Sequence, residues 1–175
     1  MAAGLVSPLW TWAHERKNVI LKLRPLEIAA FEPFGQVLSW RPEDHVRRNF
    51  AARLFNDRVG ARPNLRVQHT EPTALPHQAT QIERHRHSSQ LFAPLSGGSY
   101  FVVVFPSDGA GNPLPHEGRA FLAAGNQAIN YNVDVWHHSF MAAERAGTFL
   151  MLRWEDGMPS DEEFRALDHP VRIES

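Results

Sequence analysis

Three features that this 175-residue sequence lacks narrow the range of functions it can have. It contains no cysteine, which excludes disulfides, zinc–thiolate sites, iron–sulfur clusters and thiol nucleophiles, so any metal must be held by histidine, carboxylate or amide groups. It has no excess of positive charge, since 18 Lys and Arg stand against 19 Asp and Glu, and we expect no nucleic-acid partner. Its longest apolar run, Tyr100 to Phe105, is far shorter than the about 18 residues of a membrane span, so we expect no membrane association.

The length and composition predict one globular domain. A chain of this size, with 43% hydrophobic residues, buries about two thirds of its unfolded surface around one core. Residues 1–17 contain apolar side chains, but no Lys or Arg precedes them. We therefore interpret residues 1–17 as an N-terminal extension rather than a secretory signal, and expect a single domain over residues 18–175 in a cytoplasmic protein.

From Asn18 onward, short segments with strand-like patterns are separated by Pro, Gly and Asn. Their spacing predicts an all-β fold, either a sandwich or a barrel. Near the end of the chain, Ser160 and Glu163 have the spacing of a helix capping box. We therefore predict a short C-terminal helix over residues 161–167.

The predicted strand from Gln78 to His87 carries the most informative side chains. In a strand, Glu83, His85 and His87 point to one face, and two imidazoles two positions apart can bind one cation. The alternative is a chance pair on an exposed edge strand, because the chain contains ten histidines.

The residues after His87 favour a metal site. Gln90 lies three positions after His87, and six residues separate Gln90 from Gly97. This pattern resembles the first cupin motif, with Gln in place of the usual Glu. The resemblance implies a cupin-type β-barrel, or jelly roll, in which His85, His87 and Gln90 bind a metal and the glycine allows a tight turn.

A second cupin motif should supply one more histidine from a later strand. His137 and His138 are adjacent, and strand alternation allows only one of them to face the interior. Cupins usually have a glycine three residues before the ligand, and Asp134 occupies that position before His137. Because Asp tolerates the left-handed backbone region, we predict His137 as the ligand and His138 as an outer residue.

Longer segments resemble the ureidoglycolate lyase family, which consists of cupins of allantoin degradation in purine metabolism. The similar segments are 26–38, 82–85, 90–95, 101–104, 125–131 and 135–138. The resemblance implies a lyase that cleaves ureidoglycolate to glyoxylate and urea, and a homodimer. It also implies a divalent transition metal, for which Ni, Zn, Mn and Fe all suit histidine and amide ligands.

Four further side chains are candidates for catalysis or substrate binding. Glu83 is a candidate general acid or base beside the metal, or a further ligand, with a salt bridge as the alternative. Arg53 is a candidate for binding the substrate carboxylate, with a surface arginine as the alternative that the segment favours. Asn130 and Tyr131 are candidates for hydrogen bonds to the ureido group, and barrel packing explains them equally well.

Other functions stay open at this point. The segment Arg153 to Glu155 departs from the Asp-Arg followed by a Gly that the resemblance leads us to expect, so a paralogue with another substrate is one alternative. Another is a different small-molecule cupin enzyme, such as an isomerase or an iron dioxygenase acting on a polar acid. A third is a non-catalytic cupin that senses a metabolite, because a fold does not determine a function.

Overall fold

The computed structural model of the protein describes residues 18–41, 43 and 53–175. The predicted N-terminal extension, residues 1–17, lies outside this part of the chain. Strands dominate the described residues, together with a short α-helix and a 3-10 turn at Pro115–Glu117. In chain order the elements are β1 (Ile20–Pro25), α1 (Ile28–Phe31), β2 (Gly35–Ser39), β3 (Arg62–Thr70), β4 (His77–His85), β5 (Gln90–Ser96), β6 (Tyr100–Phe105), β7 (Arg119–Ala123), β8 (Gln127–Tyr131), β9 (Trp136–His137), β10 (Met141–Ala142), β11 (Gly147–Glu155) and β12 (Glu162–Glu174).

Six strands close into a barrel. The hydrogen-bonded order is β6, β7, β1, β12, β4 and β9, and β9 pairs back to β6, while β10 attaches to the side of β6. β1 runs parallel to both of its neighbours, and the other pairs in the ring are antiparallel. The barrel contains its own apolar core, formed by Leu21, Ala79, Ile82, Phe101, Val103, Phe105, Ala120, Trp136, Met141, Val171 and Ile173.

A five-stranded sheet, in the order β2, β8, β5, β11 and β3, packs against the barrel. β6 serves both layers. Its side chains Phe101, Val103 and Phe105 belong to the barrel core, and the three that alternate with them belong to a second core shared with the five-stranded sheet. This explains why β6 is apolar at every position, since a strand covered on both faces has no solvated side.

These features confirm the predicted all-β fold with a cupin-type barrel. The turn after β5 contains Gly97 with a φ of 106°, as the cupin motif predicted. A side chain at this glycine would be strained in that left-handed conformation and would also approach the Cα atom of Gly147 to 2.7 Å. Among the described residues, no helix is long and apolar enough to cross a membrane.

The predicted C-terminal helix is wrong, because residues 162–174 form β12. β12 fills the gap between β4 and β1 and thereby completes the closed ring. The Glu163 carboxylate does not cap a helix; it accepts hydrogen bonds from Arg84 Nε at 2.9 Å and from Arg86 Nη1 at 3.0 Å. Tertiary pairing with two strands therefore overrides the local helix signal.

Candidate metal centre

Glu83, His85 and His137 each place one potential ligand atom within 4.8 Å of the other two. Strand alternation positions the first two, because both lie on the face of β4 opposite Ile82, which belongs to the barrel core. The pairing of β9 with β4 then sets His137 directly opposite Glu83. Both histidines are buried, and the cluster lies where the barrel faces the five-stranded sheet.

The His137 ring is fixed by two contacts. Its Nδ1 lies 2.9 Å from the carbonyl oxygen of Val135, which can only accept, so Nδ1 carries the proton and Nε2 keeps its lone pair. The ring of Tyr131 stacks on the imidazole with centroids 4.1 Å apart and an interplanar angle of 16°. Nε2 is thereby directed at the cluster in its metal-binding form.

The turn before His137 contains Asp134, which has the left-handed φ of 66° that the second cupin motif predicted. The Asp134 backbone N–H donates to the carbonyl oxygen of His85 at 2.7 Å. Its carboxylate forms an ion pair of 3.1 Å with the buried Arg84, which also lies over the Trp136 ring. These contacts connect β4, which carries His85, to the turn that leads into β9, which carries His137.

A buried carboxylate, that of Asp161, lies behind His85. Oδ2 of Asp161 is 3.3 Å from His85 Nδ1, a close contact without hydrogen-bond geometry, and it accepts a 2.6 Å hydrogen bond from the Ser88 hydroxyl. Arg58 Nη2 is 3.2 Å from the same oxygen. A carboxylate behind an imidazole orients the ring and raises its basicity toward a metal. No local pattern in the sequence predicts this role of Asp161.

The atoms that meet at the centre fit a bound cation. His137 Nε2 is 3.1 Å from Gln90 Oε1 and 3.4 Å from Glu83 Oε1, and all three atoms are electron-pair donors. The Gln90 amide nitrogen is turned away and donates to the sulfur of Met151 at 3.5 Å. His85 has no hydrogen-bond partner on either ring nitrogen among the described residues. Two imidazoles, a carboxylate and an amide oxygen form a donor set suited to a divalent transition metal.

Burial and the surrounding polar contacts shift the pKa values of the acidic side chains of the site in opposite directions. Burial by itself would raise the pKa of Glu83, but its neighbours His137, His85 and Arg153 lower it below its usual value. Burial would also raise the pKa of Asp161, but its contacts hold that pKa well below the usual range. For Tyr131, burial raises the pKa well above its usual value, and the phenol keeps its proton.

His87, a predicted ligand, does not join the cluster. β4 ends at His85, and the next two backbone N–H groups bond to Asp161, that of Arg86 to the carbonyl oxygen and that of His87 to the carboxylate. The His87 imidazole instead lies 3.1 Å from the carboxylate of Asp57. The predicted convergence is therefore wrong for His87, since it assumed that the strand continued for two more residues.

The three predicted substrate-binding residues have different positions. Tyr131 lies on the cluster, where it stacks on His137. Asn130 alternates with Tyr131 and so points to the other face of the five-stranded sheet, where its amide donates to the carbonyl oxygen of Arg53 at 3.2 Å. The Arg53 residue is exposed. Only Tyr131 of these three therefore contacts the candidate metal centre.

A cavity of about 370 Å³ opens beside His85. Its wall includes Arg58, Arg153 and Asp161, which belong to three separate segments of the chain. The cavity gives a small molecule access to the buried histidine.

A closed six-stranded barrel with two imidazoles and a carboxylate on paired strands defines a cupin-type protein with a candidate metal centre. The family can also be stated. The chain belongs to the ureidoglycolate lyase family, whose sequence model matches residues 18–174. The resemblance found in the sequence is thereby confirmed.

Three relatives are each named ureidoglycolate lyase. The protein of Agrobacterium fabrum is 34% identical over 161 residues, which cover 87% of this chain and 95% of the relative. That of Burkholderia cepacia is 36% identical over 153 residues, covering 82% and 85%. That of Brucella melitensis is 34% identical over 163 residues, covering 89% and 95%.

Proposed function

We propose that this protein is a ureidoglycolate lyase that releases glyoxylate and urea. Family membership supports the reaction, and the convergence of Glu83, His85 and His137 is the observation that supports a metal-assisted form of it. The residues proposed to hold the metal are His85, His137 and Gln90, with Glu83 beside them. Ni, Zn, Mn and Fe all remain candidates. The expected setting, allantoin degradation in the cytoplasm, stays a prediction.

The chemistry needs one proton to move within the site. Ureidoglycolate is a carbinolamide, so loss of the C2 hydroxyl proton lets a carbonyl form while the bond from C2 to the urea nitrogen breaks. When bound, a divalent metal lowers the pKa of a coordinated hydroxyl. Glu83 accepts the hydroxyl proton and delivers it to the departing nitrogen. The proton returns to the product, and no electrons are exchanged with a cofactor.

Other side chains of the chain keep this arrangement in place. Tyr131 and the Val135 carbonyl oxygen hold the His137 ring, and Met151 holds the Gln90 amide so that its oxygen faces the centre. Asp161 supports His85 from behind. A site whose groups are already oriented loses little free energy to reorganisation during the reaction.

The products test the proposal directly. Purified protein loaded in turn with Ni, Zn, Mn or Fe should release urea and glyoxylate in equal amounts, without oxygen or a redox cofactor, in a colorimetric assay of both products. Ammonia and carbon dioxide in place of urea would indicate hydrolysis and contradict the lyase proposal. Absence of turnover with all four metals would also contradict it and favour a metabolite sensor.

We further propose a homodimer that forms through the outer face of the five-stranded sheet. Leu65 and Val67 of β3 are 62% and 63% exposed. They lie directly opposite Leu152 and Leu150 of β11, so they extend one apolar face. β3 is also an edge strand of its sheet. Exposed apolar side chains on a sheet edge favour association with another chain.

Light scattering should give a mass of about twice 19.8 kDa at micromolar concentration. The mass of the Val67→Glu variant should be closer to that of the monomer, because a charge in an apolar interface loses its hydration without gaining a partner. Val59→Glu is the matched control, since Val59 is a fully exposed valine in a turn outside this face. A wild-type mass near 19.8 kDa would exclude the dimer.

A further inference from the structure

Two arginines lie on the inner face of the five-stranded sheet, next to the candidate metal centre. Alternation along β11 puts Arg153 on the same face as Met151, whose sulfur accepts the hydrogen bond from Gln90. Arg66 of β3 lies directly opposite Met151. Arg153 is also near enough to Glu83 for its charge to act on that carboxylate.

The cavity beside His85 connects these arginines to the metal centre. Arg66, Arg153 and His85 all line it. A ligand in the cavity can therefore contact the guanidinium groups and reach the metal-binding side of His85 at the same time. This is the geometry that a small acid with a reacting group next to its carboxylate requires.

The carboxylates around the cavity position the two guanidinium groups. Glu155 accepts hydrogen bonds from Arg153 Nε, from Arg66 Nη2 at 3.3 Å, and from the amide of Asn64 at 2.6 Å. Glu162 accepts from Arg153 Nη1 at 3.2 Å. Among the described residues, Arg153 therefore bonds through Nε and Nη1, which leaves both N–H bonds of Nη2 for a ligand.

Arg58, the third arginine of the cavity wall, is held more tightly. Its guanidinium forms ion pairs with Asp156 at 3.1 Å and with Asp161 at 3.2 Å, and it donates to the carbonyl oxygen of Trp154 at 2.6 Å. Those contacts give it a structural role. Arg66 is half exposed and pairs, among the described residues, with Glu155 alone, and Arg153 beside it pairs with Glu155 and Glu162.

We propose that Arg153, assisted by Arg66, binds the carboxylate of the substrate and so selects 2-hydroxy acids at the metal centre. This proposal rests on the lyase function above. A guanidinium presents a planar pair of N–H groups that match a carboxylate, and Glu155 keeps the two arginines oriented while the cavity is empty of substrate. In this proposal Arg153 takes the role that we had expected for Arg53, which is exposed and outside the cavity wall.

Arg153→Gln tests the proposal through KM. Loss of charge-assisted hydrogen bonds should raise KM for ureidoglycolate about 10–100-fold, with a smaller change in kcat. Metal content, measured by elemental analysis, should stay at the wild-type value. Arg153→Lys keeps the charge but not the planar guanidinium, so its KM should lie between those of the wild type and the Gln variant. It serves as the test if the Gln variant does not fold.

Arg172→Gln is the matched control. Like Arg153, Arg172 lies in a strand and pairs with a glutamate two residues later, but it is not part of the cavity wall. It should leave KM unchanged. An unchanged KM in both Arg153 variants, or an equal rise in the Arg172 variant, would overturn the assignment.

A binding measurement separates this proposal from the lyase function. Glycolate, an unreactive 2-hydroxy acid, should bind to metal-free wild-type protein in saturation-transfer NMR, and about 10–100-fold more weakly to the metal-free Arg153→Gln variant. If the wild type binds glycolate in this way but shows no turnover, the lyase function fails while the carboxylate site stands. Equal glycolate binding by both proteins overturns the carboxylate site, whatever the activity.

Discussion

Replacing Glu83 with Gln should lower the turnover of ureidoglycolate about 10²–10⁴-fold, the usual range for general acid–base catalysis. Gln keeps the size of the side chain and an oxygen that can face His137, whose Nε2 is 3.4 Å from Oε1 of Glu83. It removes the ability to accept and return a proton. The rate should therefore fall while the fold and the packing around the centre are preserved.

The assay should be run with saturating metal and accompanied by a metal determination. Retained metal with a slow rate supports Glu83 as the proton carrier, whereas loss of most of the metal would show that its main role is that of a ligand. Glu117→Gln is the control, since Glu117 is an exposed glutamate in the 3-10 turn at Pro115–Glu117, and it should have wild-type activity. Full activity in Glu83→Gln would remove this residue from the mechanism.

The part of the centre that depends on local patterns was predictable from the sequence. Glu83 and His85 share a face because they are two residues apart in a strand, and the structure places both in the cluster. Asp134 identified His137 as the inward histidine, and its positive φ agrees with that argument. Strand period and a required backbone conformation are properties of a few consecutive residues, so a sequence records them directly.

The parts that depend on long-range pairing were missed. His87 leaves the cluster because Asp161, 74 positions later, accepts its backbone N–H and ends the strand. Residues 161–167 have a helical pattern in isolation, yet residues 162–166 pair with β4 and so help to close the ring. Which distant segment supplies a hydrogen-bond partner is decided by the whole fold, and no local pattern encodes it.

The same reason applies to the carboxylate site. Arg66 and Arg153 are on one face, with a shared partner in Glu155, only because β3 and β11 pair in a register that sets Arg66 opposite Met151. In the sequence both arginines have the appearance of ordinary surface charges. Arg53 was predicted to bind the carboxylate because the residues just before it carry no charge. The register of two paired strands is the better guide to the carboxylate site.

The His137→Ala variant should lose most of its bound metal, and its turnover should fall roughly 10³-fold or more, because a catalytic metal contributes several kcal/mol to transition-state stabilisation. His137 has its Nδ1 proton committed to Val135 and its Nε2 directed at Gln90 and Glu83, the orientation that a ligand of the centre requires. Removing the metal from the wild type with a chelator should reproduce the effect, and adding metal back should restore only the wild type.

The adjacent His138 provides a sharp control for this prediction. Its Nε2 lies 3.4 Å from Nε2 of His77, and its Nδ1 lies 2.9 Å from the carbonyl oxygen of Ser139, so its ring is engaged outside the centre. His138→Ala should therefore keep its metal, as should His87→Ala, whose side chain pairs with Asp57. Metal loss in the His138 variant with retention in the His137 variant would reverse the assignment, because strand alternation lets only one of the two neighbours face the metal.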